Sequence, residues 1–177
     1  MFSSESKIEI SKVTTNEVDL LRNISAQTFT ETFAHQNSES DLQKYISEKL
    51  STEQLSKELN SKDSSFYFLK LNPHIIGYLK LNAGEAQTER QSGNTLEIER
   101  IYISNKFHGK GFGELLLKQA INTAKQYQAH YIWLGVWEEN FKAISFYKKN
   151  GFSQFDTHTF KLGNDVQLDI MMKLVLK

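Results

Sequence analysis

Two hydrophobic periods divide this chain into elements. Ile8 to Val13 alternates apolar and polar residues, which predicts an opening strand. Thr14-Thr15-Asn16-Glu17 supplies capping residues, and Val18, Leu21, Ile24, Phe29 and Phe33 then follow at helical spacing. Asp41 to Lys49 and Thr52 to Asn60 read as two shorter helices, with Leu42, Tyr45, Ile46, Leu50, Leu55 and Leu59 as the apolar set. Ser65 to Leu71 and Ile75 to Leu81 return to the strand period around Asn72-Pro73-His74, a hairpin turn with the only proline. Ala83 to Asn94 is polar and glycine-flanked, and reads as a loop.

Leu96 to Ile103 is strand-like, and Glu114 to Gln128 is helix-like with Leu117, Ala120, Ile121 and Ala124 as its inward stripe. His130 to Val136 reads as a strand. Asn140 and Asn150-Gly151 bracket a short helix as N-cap and stop. Phe152 to Phe160 and Val166 to Leu176 read as an antiparallel pair turning at Gly163-Asn164-Asp165. No repeat, low-complexity tract or linker interrupts the chain, so residues 1–177 are expected to form a single domain.

One stretch follows neither period. His108-Gly109-Lys110-Gly111-Phe112-Gly113 lies where a predicted strand turns into a predicted helix. Alternating glycines there leave backbone N–H groups bare, and the first turn of a helix adds unpaired donors and partial positive charge. Such a place attracts phosphate. The spacing excludes two common phosphate carriers. A dinucleotide fingerprint, G-x-G-x-x-G, fails because Glu114 or Leu116 stands where the third glycine is required. A Walker loop is absent. A glycine-rich connection without a ligand remains the alternative.

Downstream, Asn140 and Tyr147 lie two helical turns apart on nearly one face, about 10 Å along the axis. An amide and a phenol so arranged can follow an extended ligand; a cap and a half-buried tyrosine are the plainer reading.

The two segments together resemble the Gcn5-related N-acetyltransferase superfamily. That family carries a Gln/Arg-x-x-Gly-x-Gly/Ala loop after its fourth strand, matched by His108 through Gly113. It also carries Asn-x-x-Ala-x-x-Phe-Tyr-x-x-x-Gly-Phe, matched by Asn140, Ala143, Phe146, Tyr147, Gly151 and Phe152. Order and spacing agree, and the resemblance spans Ile8 to Leu176. His108 departs from the usual Gln or Arg, which is expected to tune affinity because the loop binds mainly through backbone N–H groups.

The resemblance implies an α/β (α+β) fold with a mixed central sheet of about seven strands flanked by about four to five helices. A splayed parallel strand pair would form the slot for acetyl-CoA, the implied co-substrate. Residues 109 to 114 (Gly109, Lys110, Gly111, Phe112, Gly113 and Glu114) would hold its pyrophosphate, with Lys110 adding charge. Backbone groups of Ile101, Tyr102 and Ile103 would pair with its pantetheine arm, and Asn140 and Ala143 would meet that arm from the other side. Tyr147 would act as general acid toward the leaving thiolate. For the base, the strand period puts Glu97 and Glu99 on one face with Ile101 and Ile103, and a bulge of the family fold would turn either carboxylate toward the cleft. Glu99 is narrowly preferred; pairing with Arg100 or a neighbouring lysine is the structural alternative for both.

Composition narrows the partners. Lys plus Arg and Asp plus Glu both total 21, so no global field recruits nucleic acid or an anionic membrane. Cysteine is absent, so the acyl group must pass directly to the acceptor in a ternary complex or through another nucleophile. The histidines His35, His74, His108, His130 and His158 show no metal-ligand spacing, and no metal is expected. Met1-Phe2-Ser3-Ser4-Glu5-Ser6 lacks a signal layout and no apolar run approaches membrane-spanning length, so a cytoplasmic protein is expected.

The acceptor is expected to be a small amine. Thr28-Phe29-Thr30-Glu31-Thr32-Phe33, Glu39, Asp41, Glu48 and Gly135-Val136-Trp137-Glu138 look like the acceptor region of bacterial spermidine/spermine acetyltransferases of the PaiA type. Aromatic walls with carboxylates suit a polycation; solvated helix faces are the plainer reading of the same charges. A peptide or protein amine, or a non-catalytic coenzyme A-binding regulatory module, are the rival functions. Relatives are often homodimers.

Overall fold

The computed structural model describes residues 7–177; the segment Met1 to Ser6, and with it the signal-layout reading, lies outside the described residues. The elements are β1 (Ile8–Lys12), α1 (Val18–Phe33), α2 (Glu39–Lys49), α3 (Thr52–Asn60), β2 (Ser64–Leu71), β3 (His74–Ala83), β4 (Thr95–Ile103), α4 (Phe112–Gln126), β5 (Tyr131–Trp137), α5 (Phe141–Lys149), β6 (Ser153–Leu162) and β7 (Asp165–Val175). The strands form one sheet in the order β1-β2-β3-β4-β5-β7-β6.

Neighbouring strands run antiparallel except β4 and β5, which are parallel. That exception positions the site. The parallel pairing covers only Thr95↔Tyr131, Leu96↔Ile132 and Glu97↔Trp133, after which the two strands diverge. Beyond Glu97, β4 stays paired to β3 but has no partner on its other edge.

Helices cover both faces. On one face α4 and α5 bury Leu116, Leu117, Ala120, Ala124, Ile144 and Tyr147 against Leu79, Leu81, Ile98, Ile132, Leu134 and Met172. Each fully buried leucine in that layer contributes about 2 kcal/mol of transfer free energy. On the other face Leu21 and Ile24 of α1 and Leu55 of α3 pack on Phe66, Phe68 and Tyr78. Phe29 of α1 joins Leu42, Ile46 and Leu50 of and after α2 in a satellite cluster.

Caps explain where several helices begin. Ser38 and Ser51 accept from the N–H groups of Asp41 and Gln54, so α2 starts earlier than the apolar period suggests and α3 starts at Thr52. The helix expected from Glu114 to Gln128 runs instead over Phe112–Gln126. Gly111, at φ +80°, turns the chain into it, and Gln128, at φ +56°, has already left it.

The alternation along β4 is broken by a bulge. Leu81 pairs with Ile98 and Lys80 with Arg100, leaving Glu99 as the extra residue. Glu97 therefore lies opposite Asn82, on the face of α1 and α3 with Lys80, Arg100, Tyr78 and Tyr102. Ile101 and Ile103 pack against the α4 face. The expectation that Glu97 shares a face with Ile101 and Ile103 is corrected by that single inserted residue.

Candidate active site

At the end of β4 the chain enters a single 3-10 turn, Asn105–Phe107. Its first N–H is capped from α1: Asn105 donates to Glu31 Oε2 at 2.8 Å, and Ser104 Oγ donates to Glu31 Oε1 at 3.3 Å. His108 Nε2 lies 2.6 Å from the Ile103 carbonyl oxygen, a hydrogen bond that puts a proton on Nε2 and ties the loop back to the strand. Lys110 Nζ donates to the Lys106 carbonyl at 3.0 Å and rests 5.4 Å from the Phe107 ring centre.

Gly109 and Gly111 both have positive φ, and a Cβ on either would meet nothing within 4 Å. The glycines are therefore not needed to avoid the protein's own atoms. They supply backbone conformation and an open side for a ligand. No side chain caps α4, so the N–H groups of its first turn are left for an acceptor from outside. Phe112 is buried against Phe107, and Gly113 faces Phe146 of α5. These residues fit a pyrophosphate: bare donors, an open face and a helix N-terminus.

The slot beside the cradle is the gap between β4 and β5. Ile101, Tyr102 and Ile103 border it on one side, paired only to Leu79, Tyr78 and Gly77 of β3. On the other side Asn140 caps α5, its Oδ1 accepting from the N–H of Ala143 at 3.2 Å. The cap read from sequence is thus present, and only the amide Nδ2 of Asn140 remains for a ligand.

Two turns along α5, Tyr147 is 7 % exposed and packed between Phe146 and Phe152, with ring centres 5.3 and 5.6 Å away. Its hydroxyl has no hydrogen-bond partner among the described residues. Burial pushes this phenol above its ordinary value. Tyr102 is also raised, first by burial and then by the neighbouring phenols of Tyr78, Tyr45 and Tyr147, against the pull of Arg100. The phenols of Tyr45, Tyr78 and Tyr147 thus lie near enough to Tyr102 to act on it electrostatically.

The carboxylates Glu58, Glu97 and Glu99 lie in a buried polar cluster. Lys80 Nζ sits 2.5 Å from Glu99 Oε2 and 3.0 Å from Glu58 Oε2 of α3. Arg100 spans both oxygens of Glu58, at 3.0 and 3.3 Å, and reaches Glu99 Oε1 at 3.3 Å. Asn82 Nδ2 donates to Glu99 at 2.5 Å and to Glu97 at 3.2 Å. Glu97 also accepts from the N–H of Thr88 at 2.8 Å and, by a very short bond, from its hydroxyl.

The two carboxylates are driven apart in acidity. Burial raises Glu97, outweighing the hydrogen bonds from Thr88 and Asn82 that oppose it. Burial acts on Glu99 too, but Arg100 and Lys80 overcome it and hold that carboxylate below its ordinary value. The pairing with Arg100 and a lysine, raised from sequence as the structural alternative, is what the geometry gives Glu99.

Glu58, Lys80, Asn82 and Thr88 carry no sequence motif. The available signal is a lysine and an asparagine inside the apolar strand Gly77-Tyr78-Leu79-Lys80-Leu81-Asn82, where burial demands partners.

The acceptor-side segment is partly engaged elsewhere. Phe29 stacks on Tyr45 at 4.2 Å and lies 4.7 Å from Phe33, forming an aromatic wall. Thr28 and Thr32 donate back to carbonyls of their own helix, and Glu31 caps the 3-10 turn. Asp41 bonds Ser38, while Glu39 and Glu48 are exposed. Among the described residues no group of three or more His, Asp or Glu is arranged to hold a metal ion, and no helix is long and apolar enough to cross a membrane.

Comparison with known proteins agrees with this geometry. The profile of the Acetyltransferase (GNAT) family matches residues 19–152. An uncharacterized N-acetyltransferase in the pepI 3′ region of Lactobacillus delbrueckii subsp. lactis is 37 % identical over 169 residues, covering 96 % of this chain and 98 % of the relative. A spermidine N(1)-acetyltransferase of Thermoplasma acidophilum is 29 % identical, over 85 % of this chain and 91 % of the relative. Among solved structures, the PaiA N-acetyltransferase of Thermoplasma acidophilum in complex with coenzyme A superposes with a TM-score of 0.79 at 26 % identity, covering 96 % of this chain and 99 % of that one.

The chain belongs to the GNAT acetyltransferase family. It is an N-acetyltransferase that uses acetyl-CoA.

Proposed function

We propose that the acceptor is a polyamine such as spermidine or spermine, and that Glu97 takes its proton while Tyr147 protonates the departing thiolate. The observation that carries this reading is the charge balance of the buried polar cluster. Glu58, Glu97 and Glu99 face only Lys80 and Arg100, so with every group ionised one negative charge is in excess. That excess resides on Glu97, the carboxylate whose ionisation burial disfavours. An arriving ammonium balances it.

Acetyl-CoA, when bound, supplies an acetyl group activated as a thioester. The chain's own groups do the rest. The bare N–H groups of Gly109 to Glu114 hold the pyrophosphate, and the free edge of β4 at Ile101 to Ile103 holds the pantetheine arm. Glu99, kept ionised by Lys80 and Arg100, neutralises those cations within the cluster and leaves the uncompensated charge to Glu97. Glu97, raised by burial, is the better matched acceptor for the ammonium proton, which frees the amine lone pair for attack. The Tyr147 phenol stays protonated through the neutral range and can donate. The likeness to the spermidine N(1)-acetyltransferase of Thermoplasma acidophilum supports a polyamine as the amine.

A thiol-release assay with acetyl-CoA against spermidine, spermine and a lysine-containing peptide tests the assignment. Polyamines are expected to give kcat/KM at least about tenfold above the peptide, the scale of one well-placed ionic contact. A preference for the peptide overturns the polyamine reading, and no turnover with any amine overturns the residue roles.

A further inference from the structure

His158 lies outside the machinery described so far, held between two carboxylates from different elements. Its Nδ1 is 2.8 Å from Glu89 Oε1, off the line an ideal hydrogen bond needs, and its Nε2 is 3.3 Å from Asp169 Oδ2. The imidazole belongs to β6, Asp169 to β7 and Glu89 to the segment joining β3 to β4. Gly135 of β5 completes the setting. A Cβ there would stand 3.1 Å from His158 Cε1 and 3.3 Å from Asp169 Oδ2, so glycine lets the pair lie flat on the strand.

The segment that His158 holds also reaches Glu97. Gln87 accepts from Trp133 Nε1 and from Thr95 Oγ1, both at 2.8 Å. Thr88 donates twice to Glu97. Glu89 is the next residue, with its side chain 39 % exposed and its Oε1 2.8 Å from His158 Nδ1. A single peptide bond therefore separates the residue that bonds Glu97 from the residue that meets His158. The groups facing Glu97 are Thr88 and Asn82, with Glu99 beside it; those facing His158 are Glu89 and Asp169.

We infer that His158 is a positioning residue for acetyl transfer: by clamping Glu89 it keeps Thr88 on Glu97 and so sets the basicity of that carboxylate. The inference rests on Glu97 as proton acceptor, and it has a direction. The Thr88 bonds favour ionised Glu97, so loosening them makes the carboxylate easier to protonate. The acid limb of kcat/KM must then move to higher pH.

The test uses the full chain with Glu89→Gln, an exposed and fold-neutral change, and His158→Gln. Amide exchange at Thr88 should quicken about fivefold in either variant, as for loss of a modest ion pair. The acid limb should rise by roughly half to one pH unit, the scale of a weakened charge-assisted hydrogen bond. Unchanged Thr88 exchange in both variants overturns the inference whatever the rate profile does. Quickened exchange with an unmoved acid limb also overturns it, since the clamp then does not reach Glu97. Glu97→Gln separates this from the function assigned above: if it keeps full turnover, the base assignment has failed, independently of whether His158 governs Thr88.

Discussion

Replacing Gly111 by alanine separates the cost of a backbone conformation from the loss of a binding surface. Gly111 sits at φ +80°, ψ 0° and serves as the N-cap of α4. An alanine there bears the left-handed penalty of about 1–2 kcal/mol. Its methyl group would touch no atom of the protein within 4 Å, so no packing cost adds to that figure. For a chain of 177 residues, a loss of this size lowers Tm by roughly 3–6 °C. Ligand binding should suffer separately. The methyl group projects into the open side of the cradle, where it would displace the pyrophosphate from at least one charge-assisted N–H contact worth about 1.5–3 kcal/mol. Kd for coenzyme A should rise about tenfold to hundredfold. The assays are thermal unfolding without ligand and calorimetric titration with coenzyme A. Gly84→Ala is the control, because Gly84 has φ +47° but faces Asp63, away from the cradle. It should lower Tm while leaving Kd unchanged. An equal Kd for wild type and Gly111→Ala would refute the cradle as the phosphate site.

Other substitutions probe the remaining parts. Tyr147→Phe removes a hydroxyl that bonds nothing among the described residues, so stability and coenzyme A affinity should hold while kcat falls about 10²–10⁴-fold in steady-state assays. Glu97→Gln should lower kcat by a similar factor without lowering Tm at neutral pH. A raised carboxylate contributes stability in its protonated form below its unfolded value and loses it as pH rises, so removing the buried charge is neutral or stabilising. The same shift makes kcat/KM climb as pH rises through the raised Glu97 value, and that limb should vanish in the variant. Lys80→Ala leaves Glu99 and Glu58 under-paired in the cluster and should cost about 3–5 kcal/mol in denaturant unfolding.

Much of the scaffold is legible in local pattern. Val18, Leu21, Ile24, Phe29 and Phe33 mark a helix that runs over Val18–Phe33, and Thr52 to Asn60 is a helix with those bounds. The backbone of the glycine loop was legible for the same reason, since alternating glycines between a strand and a helix point to positive φ, as Gly109 and Gly111 have. Asn140 reads as a cap and is one. Faces of strands were less legible. Period-two alternation assumes an uninterrupted ladder, and the extra residue Glu99 reverses everything beyond it. The polar cluster was invisible for a different cause: Glu58 and Arg100 are 42 positions apart and meet only through packing of α3 on β4. The segment between β3 and β4 reads as a loop because Gln87, Thr88 and Glu89 are polar, yet Gln87 and Thr88 bond residues of the sheet and Glu89 approaches His158 of β6.

The most direct test of the account follows the acetyl group itself. The protein is incubated with acetyl-CoA and spermidine, the amine is weighed by mass spectrometry, and released thiol is counted in parallel. Monoacetylated spermidine with one thiol per acetyl group is the predicted result, falling steeply in Glu97→Gln and Tyr147→Phe. Tight coenzyme A binding with no acetylated amine, or undiminished product from both variants, would contradict it.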